Sequence, residues 1–228
     1  MKRNSIILKK ESTALLIIDL QERILPVIRN YETVLDNTVK LIKGFKAMQL
    51  PIYFTEQYPK GLGPTSQKIL DEIDGYTAYQ KMSFSCSGAE NLFDEFHSKK
   101  LSQIVVCGVE SHVCVQQTVL DLIANDHQVN LAADAVSSRK EIDYNIALDR
   151  MRTLGAEVTT TESILFELLE VCGTPEFKEV SKIVKWFEWN ICHTEPIQQY
   201  FIISDCILSN REDERTIKTD EFSFSSFT

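Results

Sequence analysis

Between Thr13 and Gln21 the chain reads TALLIIDLQ, an unbroken apolar run that closes on a carboxylate and an amide. A strand buried on both faces has this pattern, so the segment predicts a central strand of a parallel sheet. From Tyr31 to Leu50 the period changes. Val34, Leu35, Leu41, Ile42, Phe45 and Met48 recur at helical spacing, and Pro51 closes the segment. The alternation continues with a strand over Ile52 to Thr55, a loop rich in Gly and Pro from Gln57 to Pro64, and an extended piece around Thr77 to Gln80. A helix over Asn91 to Lys99 and a strand over Gln103 to Cys107 follow, then a helix from Ser111 to Asn125. The last units are strand Val129 to Ala133, helix Tyr144 to Leu154, strand Glu157 to Thr160 and helix Ser163 to Leu169. Repeated strand–helix units predict an α/β fold with a mostly parallel central sheet and helices on both faces.

The pattern weakens past Lys185, where WFEWNICHTEPIQQYFIISDCILSN mixes aromatic and polar residues and the last eighteen residues are polar. The expected organisation is one domain over residues 9–185 and a C-terminal extension over 186–228 whose last part is disordered. A chain of 228 residues buries enough surface to hold a core without disulfides or metal. Its 24 basic against 33 acidic residues give a net charge of −9, which opposes binding to nucleic acid or to anionic membranes. No apolar run approaches the ~20 residues of a bilayer span, so a cytoplasmic protein is expected. Six cysteines and four histidines are scattered without the close spacing of a zinc site.

In parallel sheets ligands bind beyond the carboxyl ends of the strands, which directs attention to Asp19, Lys81 and the segment Glu110 to Cys114. Ser111 suits the cap of the helix that follows, and Cys114 then sits where free N–H groups and the helix dipole favour a thiolate. Cys114 read alone is equally a buried structural thiol, as Cys107 in the preceding strand is. Asp19 at the end of an apolar strand is either a proton carrier or a cap, and Lys81 by itself is an ordinary lysine.

Taken together, LLIIDLQER with Asp19 and Gln21, YQKMSFS with Lys81, and CGVESHVCV with Cys114 resemble the isochorismatase-like cysteine hydrolases. The order and spacing match, and TEQYPKGLGPT over residues 55–65 resembles the branch whose substrate is unassigned. The likeness spans roughly residues 9–185. It implies a Rossmann-like three-layer fold, homo-oligomers and a small-molecule substrate. It further implies that Cys114 attacks a carbonyl carbon, that Asp19 relays protons, and that Lys81 stabilises negative charge. A cis peptide between Val109 and Glu110 would aim the N–H groups of Glu110 and Cys114 at the oxyanion.

Two departures narrow that reading. Metal-binding relatives carry Asp-x-His after the second strand, whereas Glu56, Gln57, Tyr58 and Pro59 stand here, so no metal or other cofactor is expected. A retained cysteine favours acyl chemistry on an amide or related C–N bond. Gln21 and Tyr58 are expected to line the pocket. Glu110 either opposes anionic substrates or turns its carboxylate away, and His112 is expected on the surface. Two rival readings remain: a catalytically silent scaffold that binds through the extension, and a redox-sensing thiol at Cys114, which has no resolving cysteine close in sequence.

Overall fold

The computed structural model describes residues 3–73 and 75–191, the last six of them by backbone alone. The chain divides into a compact unit, Met1–Ile191, and residues 192–228, so the expectations for most of the extension lie outside the described residues. Among the described residues a single sheet holds six parallel strands: β1 (Thr13–Ile18), β2 (Ile52–Gln57), β3 (Tyr79–Lys81), β4 (Gln103–Val109), β5 (Gln128–Ser137) and β6 (Glu157–Thr159). The helices are α1 (Tyr31–Ala47), α2 (Pro59–Leu62), α3 (Gln67–Leu70), α4 (Leu92–Ser98), α5 (Gln116–Ala124), α6 (Glu141–Thr153), α7 (Thr161–Leu169) and α8 (Pro175–Ile191).

The apolar run of β1 works as its pattern predicts. Leu15 and Ile17 point into a core shared with Leu41, Ile42 and Phe45 of α1, Leu165 of α7 and Val180 of α8. Ala14, Leu16 and Ile18 point the other way, onto Phe96 of α4, Val119 and Leu122 of α5 and Met151 of α6. One strand therefore feeds two cores, and the result is a three-layer α/β molecule. α8 runs on past Lys185 to Ile191, and its buried Val180 and Val184 join the α1 side of the core.

Strand order is β3-β2-β1-β4-β5-β6. From β1 the chain builds outward through β2 and β3, then returns to set β4 on the other side of β1. The connections leaving β1 and β4 thus diverge, which opens a crevice at their carboxyl ends. Asp19 leaves β1 there with φ of 51°, and Ser111 starts a π-helical turn, Ser111–Val115, that carries Cys114 and leads into α5. Close approach of the two strands depends on Gly108, whose φ is 118°. A Cβ at that position would stand 2.1 Å from the Ile18 carbonyl oxygen, so no other residue fits without moving β1 and with it Asp19.

Candidate active site

Asp19, Lys81 and Cys114 arrive from three separate strand ends and meet. The Lys81 ammonium donates to Asp19 Oδ2 at 2.6 Å, with both side chains almost wholly buried (0% and 2% exposed). Its other bonds run to the carbonyl oxygens of Phe84 at 2.9 Å and Ser83 at 3.3 Å. Three donors thus have three acceptors, and the cation is fixed as a charge rather than offered to a ligand. The loop that supplies those carbonyls is itself anchored, because the Ser85 and Ser87 hydroxyls both bond Asp121 of α5.

Asp19 is the hub of the arrangement. Thr55 of β2 donates its hydroxyl to Oδ1 at 2.7 Å, Lys81 holds Oδ2, and the Cys114 thiol stands near enough to feel the carboxylate charge. Burial discourages the charge on Lys81, but Asp19 and then the nearby thiols outweigh it and raise the lysine above its ordinary value. Burial first, and then Asp19, push the Cys114 thiol well up, while Lys81 pulls it down and loses. Both causes favour the neutral thiol, opposite in direction to the effect expected of the helix dipole. Cys114 belongs to the buried π-helical turn, Glu110 rather than Ser111 holds the cap position, and the Ser111 hydroxyl is buried without a hydrogen-bond partner among the described residues.

The remaining sequence candidates divide. The Val109–Glu110 peptide is cis and both residues are buried at the end of β4. The Glu110 carboxylate accepts from the Arg139 backbone N–H at 3.1 Å and its Nε at 3.0 Å, so it is neutralised by a neighbouring loop. His112, expected on the surface, is half-buried, with Nδ1 at 3.0 Å from Ser138 Oγ. Tyr58 is 48% exposed, its ring lying over Gly61 and its backbone N–H bonded to the Lys81 carbonyl. Glu56, where metal-binding relatives begin their Asp-x-His, spends its carboxylate on the Thr65 N–H and hydroxyl at 2.8 and 2.9 Å.

Gln21 is fully buried and works as a clasp rather than as a lining residue. Its Oε1 accepts from the Gln57 N–H at 2.8 Å, and its Nε2 donates to the Gln57 and Gly63 carbonyls at 3.0 and 2.7 Å. The residue so held, Gln57, places Oε1 3.6 Å from Cys114 Sγ, within range of a weak thiol hydrogen bond. Sequence reasoning missed Gln57 because nothing local marks it. Its position in TEQYPKGLGPT was the one available signal. Replacing Gln21 by Leu strands one buried and two partly buried backbone groups, and a loss of roughly 2–4 kcal/mol is expected in urea unfolding, with the fold otherwise intact.

A cysteine at a crevice between diverging strands, backed by a buried Lys–Asp pair, coincides with a match to the Isochorismatase domain over residues 13–163. The chain belongs to the isochorismatase family. Isochorismatase domain-containing protein 2 of Xenopus laevis is 38% identical over 78% of this chain and 85% of its own length. Among solved structures, the MAR1 ribonuclease from Caenorhabditis elegans matches with a TM-score of 0.73 and 32% identity, covering 78% of this chain and 92% of that one. The YcaC gene product of Escherichia coli, an octameric hydrolase of unknown specificity, shares the fold with a TM-score of 0.75 at 21% identity, over 83% of this chain and 96% of its own. As a member of the isochorismatase family the chain has a hydrolase scaffold, and the polar groups at the carboxyl ends of β1, β3 and β4 occupy its crevice.

Proposed function

We propose that the protein hydrolyses a small amide or related C–N bond through Cys114, with a thioester intermediate. The observation that carries this reading is the buried Lys81–Asp19 pair whose two charges act on the Cys114 thiol. Asp19 accepts the Cys114 proton as sulfur attacks the carbonyl carbon, and Lys81 holds the carboxylate in place and balances the thiolate charge. The N–H groups of Glu110 and Cys114 stabilise the oxyanion. Asp19 passes its proton to the leaving nitrogen and then draws one from water, which opens the thioester and returns the thiol.

The same reading includes a cytoplasmic location, a catalytic domain over residues 9–185 with an extension over 186–228, and self-association. Ile142 and Ile146, one turn apart and exposed on α6, are apolar surface that contact between copies would cover. A ribonuclease activity is not part of the reading, because a net charge of −9 opposes a phosphate backbone.

Acylation by p-nitrophenyl acetate, followed by peptide mass spectrometry, tests the nucleophile without knowledge of the natural substrate. Cys114 should acetylate faster than the exposed Cys172 despite its raised pKa, because Asp19 removes the proton during attack. Acetylation of Cys172 with Cys114 untouched would overturn the proposal.

A further inference from the structure

The crevice holds one group that the proposed chemistry has not used. Gln57 ends β2 with its carboxamide oxygen 3.6 Å from the nucleophilic sulfur. Its backbone is gripped at both the N–H and the carbonyl by Gln21, so the side chain springs from a fixed point. Of the groups around the sulfur, Asp19 already accepts from Thr55 and Lys81, and Lys81 has spent all three donors. Cys86, whose thiol lies behind Thr55 and is pushed up to about 12, stays neutral. When the Cys114 proton moves to Asp19, the Gln57 oxygen loses its donor while remaining beside the reacting centre. An unpaired acceptor there is costly unless the substrate supplies an N–H.

We propose that Gln57 selects amides whose nitrogen carries an N–H by accepting a hydrogen bond from the leaving nitrogen, an inference that rests on the cysteine-hydrolase reading above. Once sulfur bonds to the carbonyl carbon, the attached nitrogen lies two bonds from Sγ and can turn to within about 3 Å of Oε1, which is hydrogen-bonding range. In the step itself the Sγ–C bond forms and the C–N bond breaks. Asp19 gives the nitrogen the proton it took from Cys114, and ammonia departs. Water then adds to the thioester carbon and the S–C bond breaks, leaving a carboxylic acid and the thiol. Gln57 transfers no proton. It holds the nitrogen so that its lone pair faces Asp19, and N,N-dialkyl amides and esters have no N–H with which to meet it. Sites that hydrogen-bond a substrate N–H discriminate strongly against analogues that lack it.

The test compares acetamide, propionamide and benzamide with their N,N-dimethyl counterparts on the full chain, reading amine release, and uses p-nitrophenyl acetate acylation of Cys114 as the reference. In the unmodified protein a primary amide should be cleaved at least about 100-fold faster than its dimethyl counterpart. In Gln57→Leu the ratio of ammonia release to ester acylation should fall roughly 30-fold. Should Cys114 acylate with the ester while primary and dimethyl amides are cleaved alike, or no primary amide is cleaved, or the ratio survives Gln57→Leu, the role of Gln57 is refuted and the cysteine hydrolase stands. Absence of acylation at Cys114 would remove both. The wild-type comparison is unaffected by any folding defect of the variant.

Discussion

Asp19→Asn will slow turnover by about 10³- to 10⁴-fold and at the same time speed the alkylation of Cys114 by iodoacetamide at pH 7.5 by roughly 10-fold or more. The two changes have opposite signs because Asp19 does two things to one thiol. As the proton acceptor it is needed for attack. As a buried negative charge near the sulfur, it raises the thiol pKa, whereas Lys81 lowers it. Removing the carboxylate charge while keeping the side-chain shape leaves Lys81 unopposed, so the thiolate becomes more populated although catalysis has lost its base. Alkylation counts thiolate, and each unit of pKa is worth about tenfold in its population below the pKa.

The wild-type alkylation rate should keep climbing through pH 9 without a plateau, since burial and Asp19 hold the thiol above its ordinary range. The Asn variant should level off at lower pH, and Lys81→Met should shift the profile further up. Peptide-resolved mass spectrometry at Cys114 reads all three, with the exposed Cys172 as an internal reference. If Asp19→Asn slowed alkylation as well as turnover, the carboxylate would be ordering the site rather than accepting the proton.

The elements that were plain in the sequence are those whose partners add nothing to the pattern. β1 was legible because six consecutive buried residues leave no alternative to a strand covered on both faces. Asp19 could be picked out because it closes an apolar run, whereas Lys81 and Cys114 stood out through their places after expected strands and the order of the three motifs together. β5 was expected to stop at Ala133, yet it continues through Asp134 to Ser137. Asp134 there accepts from the N–H and hydroxyl of Thr161 at 2.8 and 2.9 Å, a partner 27 positions along the chain that no local window contains. β4 was likewise expected to end at Cys107, yet it runs to Val109 through Gly108, whose close contact with β1 no local window contains.

The same limit explains the site. Gln21 and Gln57 are 36 positions apart, so the clasp between them has no signature in either segment. Cys86 carries no local signal of a role, but its backbone N–H bonds the Thr118 hydroxyl, which in turn donates to the Cys114 carbonyl. That shared threonine places a second buried thiol beside the nucleophile. The upward pull on the Cys114 thiol is hidden for a related reason: dipole and N–H effects are local and visible in sequence, whereas burial and the Asp19 charge come from elsewhere in the fold.

Lys81→Met alone should destabilise the protein by roughly 3–5 kcal/mol, and Asp19→Asn combined with Lys81→Met should cost less than the two single changes added together by about 2 kcal/mol or more. The ion pair is almost fully out of water, so removing either partner leaves a charge with neither solvent nor counter-ion. Removing both leaves an amide that keeps the Thr55 hydroxyl and a thioether of similar length to lysine, and the desolvation cost of the charges disappears with them. Part of the single-variant loss comes from the carbonyls of Ser83 and Phe84, which lose their donor in both Lys81 variants and cancel from the coupling. Urea unfolding with unchanged slope across wild type, singles and double gives the cycle directly. Additive losses would mean that the pair contributes as two separate hydrogen-bonding groups and that its charge has no structural effect. A coupling of the expected size, together with the loss of turnover in all three variants, would mark the pair as machinery retained for the cysteine rather than for the fold.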